Sequence, residues 1–161
     1  AEGWETIGQE TYYFDDAGIK SVGWMTIDGK TYYFDTFGVM QTGLKSVGTS
    51  YYIFDAEGVM ELGWVTIGSN IYYCMKDGRL CTSWLTDKGR TYHFSTNGVM
   101  HTGWKTIDGS TYYFDHSGIM LTGWQIIGQS RYYFGKDGKM YTGSQKIDGR
   151  WYTFSATGEL Q

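Results

Sequence analysis

At 161 residues, with 41% hydrophobic and 19% charged residues and a formal net charge of -4, the chain is about one ordinary domain long and too apolar to be disordered. No uninterrupted apolar run reaches the roughly 18 residues of a membrane-spanning helix, so no membrane partner is expected, and the lack of any basic run argues against nucleic acid. Aromatic residues make up 19%, with 15 Tyr and 7 Trp among them, beside 24 Gly and no Pro.

The N-terminal residues do not read as a signal peptide, which points to a mature chain or a fragment. From Gly3 onward the sequence is one phrase repeated. Residues 23 to 42 spell "GWMTIDGKTYYFDTFGVMQT", and in-phase copies start at Gly3, Gly23, Gly43, Gly63, Ser83, Gly103, Gly123 and Gly143. Without insertions they fill 3–22, 23–42, 43–62, 63–82, 83–102, 103–122, 123–142 and 143–161, a single repeat domain over 3–161. Fixed-period self-similarity marks a solenoid or array whose units cannot bury their apolar faces alone. An isolated two-stranded hairpin is marginal in water, so neighbours must stack.

Within a copy the first predicted element is a strand, "WMTI" in the second. Asp28-Gly29 follows, the residue pair of a type I′ hairpin turn, and Gly8-Gln9, Gly48-Thr49, Gly68-Ser69 and Gly128-Gln129 offer the type II′ alternative. Both turns have two residues and keep one register. The aromatic strand "KTYYFD" comes next, then Asp35-Thr36-Phe37-Gly38, with Asp first and Gly fourth as a type I turn prefers. The Gly of this second turn recurs at Gly18, Gly38, Gly58, Gly78, Gly98, Gly118, Gly138 and Gly158. A short apolar link such as Val39-Met40 leads into the next copy. The predicted class is all-β, a stack of eight hairpins.

The turn at 28 and 29 pairs Ile27 with Lys30, Thr26 with Thr31, Met25 with Tyr32 and Trp24 with Tyr33. Side chains alternate faces along a strand, so one face carries Trp24, Thr26, Thr31 and Tyr33, the other Ile27, Tyr32 and Phe34. The second face reads as stacking core. Its Tyr stands in every copy, from Tyr12 to Tyr152, and its Phe in all but the fourth, where Cys74 replaces it. On the first face Trp gives way to Leu44 and Ser144, and its opposed Tyr to Ile53, His93 and Thr153. Leu44 faces Ile53 and Ser144 faces Thr153, so predicted partners are lost together. A cross-strand aromatic pair, worth about 0.2–1 kcal/mol, and one wall of a ligand cage both fit this face; the use of Trp in six of eight copies favours the cage.

Other chemistry is sparse. Cys74 and Cys81 fit either a disulfide or two free thiols, and without His at ligand spacing they make no zinc site. His93, His101 and His116 occupy non-equivalent places and predict no metal. There is no nucleophile elbow, phosphate loop or paired acid and base. The expectation is a binding module without catalytic residues or cofactor.

The phrase resembles the cell-wall-binding repeats of Gram-positive surface proteins, the choline-binding repeats, over essentially the whole chain. The resemblance implies a superhelical β-solenoid that is secreted and held at the cell wall or cell surface. It implies choline or phosphocholine of teichoic acid as partner, its quaternary ammonium caged by aromatics of consecutive hairpins. Carried onto this sequence, the cage residues are Trp4, Tyr13, Trp24, Tyr33, Trp64, Tyr73, Trp84, Trp104, Tyr113, Trp124 and Tyr133, closed by Met40, Met100, Met120 and Met140. The run Trp104–Tyr113 followed by Trp124–Tyr133 is expected to be the strongest. One departure stands out. Where streptococcal choline-binding units commonly place a further Trp in the second strand, this chain has Thr11, Thr31, Tyr51, Ile71, Thr91, Thr111 and Arg131, and Trp only at Trp151. The "TIDGKTYYFD" wording is also similar to repeats of clostridial glucosylating toxins and streptococcal glucan-binding enzymes, which implies glycans as the alternative ligand. A structural spacer of a larger surface protein is a third reading, and end-to-end homodimers are left open.

Overall fold

A computed structural model describes residues 2–161. Among them, sixteen strands pair as eight separate two-stranded antiparallel sheets, from Gly3–Ile7 with Glu10–Phe14 to Gly143–Ile147 with Arg150–Phe154. The fifth hairpin is the shortest, Trp84–Asp87 with Arg90–His93. The chain divides into two compact units, Ala1–Cys81 and Thr82–Gln161, with four hairpins in each.

The turns set the register as their residues require. Asp28 and Gly29 both have positive φ, 51° and 77°, which is the type I′ conformation. Gly8, Gly48, Gly68 and Gly128 have positive φ while the residues after them do not, as type II′ demands. Every predicted pairing of the second hairpin is present, Trp24 opposite Tyr33 and Met25 opposite Tyr32 included. At the second turn the Asp35 carboxylate accepts the Phe37 and Val39 N–H groups at 2.9 and 3.0 Å, and Gly38 N–H donates to the Asp35 carbonyl at 2.9 Å.

The face assigned to the core is the buried one. Phe34, Phe94, Phe114 and Phe134 are completely buried, and Tyr32, Tyr72, Tyr92, Tyr112 and Tyr132 nearly so. Tyr12 and Phe14, in the first hairpin, are only half-buried; they have a hairpin packed on one side instead of two.

Two devices within each unit join one hairpin to the next. The first is a backbone hydrogen bond from the link of one copy to the aromatic strand of the copy before it. Met40, Met60, Met120 and Met140 N–H donate to the carbonyls of Thr11, Thr31, Thr91 and Thr111, all at 2.8 Å. The second is a methionine laid over the following copy's turn glycine. At Gly118, with φ of 77°, an added Cβ would fall within 2.9 Å of Met100 Cγ and closer still to its Sδ and Cε. That glycine is thus required twice, for its backbone conformation and for the space that Met100 fills.

Gly118→Ala is accordingly expected to destabilise by about 1–3 kcal/mol, from the left-handed backbone and the crowding together. In a Met100→Ala background the crowding part should vanish, leaving a cost near the lower end. Urea unfolding of the four proteins of this cycle measures it; an equal cost in both backgrounds would show that Met100 does not crowd the turn.

Candidate ligand-binding site

The exposed aromatic face of each hairpin meets the core face of the next within its unit. Trp104 lies 4.9 Å, centroid to centroid, from Tyr113 of its own hairpin, 4.9 Å from Tyr132 of the next and 5.9 Å from Phe134. Trp4 repeats this with Tyr13, Tyr32 and Phe34, and Trp24 with Tyr33, Tyr52 and Phe54. Trp84 does so with His93, Tyr112 and Phe114, and Trp124 with Tyr133, Tyr152 and Phe154. Trp64 pairs with Tyr73 at 5.0 Å. Each predicted Trp–Tyr pair is therefore in contact. The residues that sequence reasoning missed are Tyr32, Tyr52, Tyr112, Tyr132 and Tyr152, read there as core alone. Alternation along a strand had put them on the face opposite Trp, and stacking brings that face against the preceding indole.

These indoles keep one side open: Trp4, Trp24, Trp64, Trp84 and Trp104 remain 38–41% exposed. At Trp104 the open side forms a recess of ≈ 340 Å³ with Thr111, Tyr132, Met140, Ala156 and Thr157. Its walls are an indole, a phenol and a thioether, with the Thr111 hydroxyl at the place of the missing third ring. Met140 therefore stands where the cage reading needs an apolar closure. It also covers Gly158, as Met40, Met100 and Met120 cover Gly58, Gly118 and Gly138. Trp124 differs from the rest. The guanidinium of Arg131 lies 4.1 Å over its ring, and the indole is half-buried.

Comparison with known proteins places the repeat in a family. Residues 1–35, 21–60, 81–121 and 121–160 each fit the choline-binding repeat. The chain belongs to the choline-binding repeat family. Residues 63–80 fit a cell wall binding repeat. The chain is similar to CbpJ from Streptococcus pneumoniae TIGR4, at 27% identity and a TM-score of 0.94 over 100% of this chain and 65% of that one. It is similar to choline binding protein F of S. pneumoniae, determined in the presence of a peptidoglycan analogue, at 31% identity and a TM-score of 0.87 over 94% of this chain and 55% of that one. The modular autolysin LytC of S. pneumoniae matches at 25% identity and a TM-score of 0.67, over 99% of this chain and 39% of the other. The chain thus spans from 39% to 65% of the length of these relatives. No curated protein sequence matches it.

Two features set this choline-binding repeat chain apart from a uniform array. Cys74 and Cys81 are both buried, and burial, helped by the Glu61 charge, pushes the Cys74 thiol up to about 11. In the fifth hairpin the wall Tyr is replaced by His93, whose Nδ1 lies 3.0 Å from Nδ1 of His101. The pair lines a recess of ≈ 490 Å³ with Trp84, Ser95, Thr106 and Asp108. At that distance one ring must donate and the other accept, so the contact holds only while at least one imidazole is neutral. Burial lowers both affinities for a proton; the Asp108 charge partly offsets this at His93, while His93 and the Lys105 charge lower His101 further.

Because the folded rings hold protons less tightly than the unfolded chain, stability is full above the ordinary histidine value of about 6.5 and falls as pH drops through it, until the folded rings protonate too. His93→Tyr, which restores the ring of the other hairpins, is expected to flatten this fall. Urea midpoints at pH 7.5 and 5.0 for parent and variant provide the check, and parallel shifts would contradict it.

Proposed function

We propose that this chain is a non-catalytic module that holds a protein to the cell wall by taking the quaternary ammonium of teichoic-acid choline into its Trp recesses. The observation that carries this reading is the Trp104 recess, where an indole, the Tyr132 ring and the Met140 thioether surround a space that offers no carboxylate. A cation without N–H donors needs π-faces and apolar contact there, and each such face contributes about 0.5–2 kcal/mol. Membership of the choline-binding repeat family supports the same ligand, as does the structure of choline binding protein F in complex with ipratropium, which carries a quaternary nitrogen as choline does. The Thr111 hydroxyl at the recess favours a second reading, a sugar platform on the same rings.

Titration with choline, maltose and a glucan oligomer, followed by Trp fluorescence, separates the two. Saturation by choline alone is expected; saturation by the glucan alone would favour the platform. Trp104 also packs on Tyr132 and Phe134 of the next hairpin, so Trp104→Ala would disturb the stack as well as the site. Trp104→Leu keeps apolar contact, and the third hairpin already carries Leu44 at this position. Calorimetry should show one site fewer for Trp104→Leu and an unchanged count for Leu44→Ala. Equal counts in all three proteins would leave the Trp face purely structural.

Several weak sites on one chain should also act together on a polymer. Retention on choline-bearing wall is expected to exceed single-site affinity by about 10²–10⁴ and to be reversed by free choline. Equal retention on choline-free wall would count against the proposal.

A further inference from the structure

We infer that Arg131 is a built-in occupant of the seventh hairpin's Trp site, so that the chain's own guanidinium closes that site to external cations and a Thr at this position would open it. The inference rests on the reading of the Trp recesses as ammonium sites. Its observations are local and independent of that reading. The Arg131 guanidinium carbon lies 4.1 Å from the centroid of the Trp124 ring, well inside the roughly 6 Å range of cation–π attraction. Five other indoles keep 38–41% of their surface open, whereas Trp124 is less open than any of these and counts as half-buried.

The aromatic contacts of this site repeat those of its neighbour. Trp124 lies 5.0 Å from Tyr133, 4.9 Å from Tyr152 and 5.9 Å from Phe154, within 0.1 Å of the Trp104 distances of 4.9, 4.9 and 5.9 Å. Arg131 sits at the strand position of Thr111, each opposite the fourth residue of the partner strand. Its carbonyl accepts the Leu160 N–H at 2.8 Å, as that of Thr111 accepts the Met140 N–H at 2.8 Å. The backbone therefore accommodates either residue; the seventh site has Arg131 laid on its indole and Leu160 in the place of Met140, and within residues 2–161 it has no counterparts of the Ala156 and Thr157 that also line the Trp104 recess. The two ion pairs found among the described residues, Arg79–Asp77 and Lys139–Asp137, leave Arg131 out, so no carboxylate there competes with the ring for it.

A tethered cation holds its ring at an effective concentration of millimolar order. An incoming ammonium must both displace it and meet its like charge. Five hairpins besides the seventh carry the Trp, and the site count in solution should omit the seventh. The array is shorter in working sites than its Trp residues suggest.

Calorimetric titration with choline of the parent chain, Arg131→Thr and Arg131→Thr/Trp124→Leu tests this. The expected result is one additional site in Arg131→Thr and its loss in the double variant. Thr is native at this position in four other hairpins, so the single variant should fold. A second measurement needs no new site: in the parent, the Arg131 side-chain resonances should be shifted upfield by the indole ring current and stay there at saturating choline. An unchanged site count in Arg131→Thr, or Arg131 resonances that move to unshifted positions as choline is added, would overturn the inference while the ammonium reading stands. A parent that binds no choline at all would overturn both.

Discussion

A hairpin in this chain is unable to cover its own aromatic core, and in the second, third, sixth, seventh and eighth the indole of the hairpin before does the covering. Trp4, Trp24, Trp84, Trp104 and Trp124 each lie within 4.7–5.0 Å of the next Tyr. A two-stranded sheet has two faces and no layer of its own to bury either, so burial has to come from the neighbouring copy. Trp is the side chain broad enough to lie on the next Tyr and Phe with one part of its surface and still leave another part open. The contact that stacks the repeats therefore creates the recess, and a simple truncation of the indole would alter packing and recess together.

Periodicity is enforced by the links as firmly as by the rings. In the second copy Asp35 N–H donates to Val39, Gly38 N–H to Asp35, Met40 N–H to Thr11 of the copy before, and Gln41 N–H to Tyr33. Four successive constraints within seven residues leave no room for an inserted residue, and every one of them needs a backbone donor. This gives a physical reason for the absence of Pro from all 161 residues, since Pro has no N–H to give. The turn glycine completes the joint, because the Met in the link of one copy lies over the glycine of the next.

Much of this was legible from residue types. Asp28-Gly29 and Gly8-Gln9 specify two-residue turns, the turns specify register, and register with alternation separates Trp24 and Tyr33 from Tyr32 and Phe34. What was not legible is how one hairpin meets the next, because that geometry is written in the link and in shape, not in the strand pattern. So alternation assigns Tyr132 to the core and gives no sign that it also lines the Trp104 recess, or that Met100 fills the space over Gly118. His93 and His101 were read as scattered, although the link returns the chain so that residues eight apart stand side by side. Arg131 stands in sequence among the residues that replace a further Trp, but its place over Trp124 depends on a side-chain path that spacing does not encode.

The paired losses on the exposed face have a common cause and two different outcomes. Directly opposed side chains on one face of an antiparallel pair share a contact, so removing one ring strips cover from the other and favours a change in both. In the third hairpin the replacements are aliphatic, Leu44 opposite Ile53, and Ile53 is 2% exposed where Tyr33 is half-buried. In the last hairpin they are polar, Ser144 opposite Thr153, and both are exposed. Neither change disturbs the core beneath, since Phe54 and Phe154 stay buried in the same hairpins. The face that carries the recesses can thus be rewritten one hairpin at a time, to aliphatic, to polar, to imidazole at His93 or to a tethered cation at Arg131, while the Tyr and Phe behind it keep the stack intact.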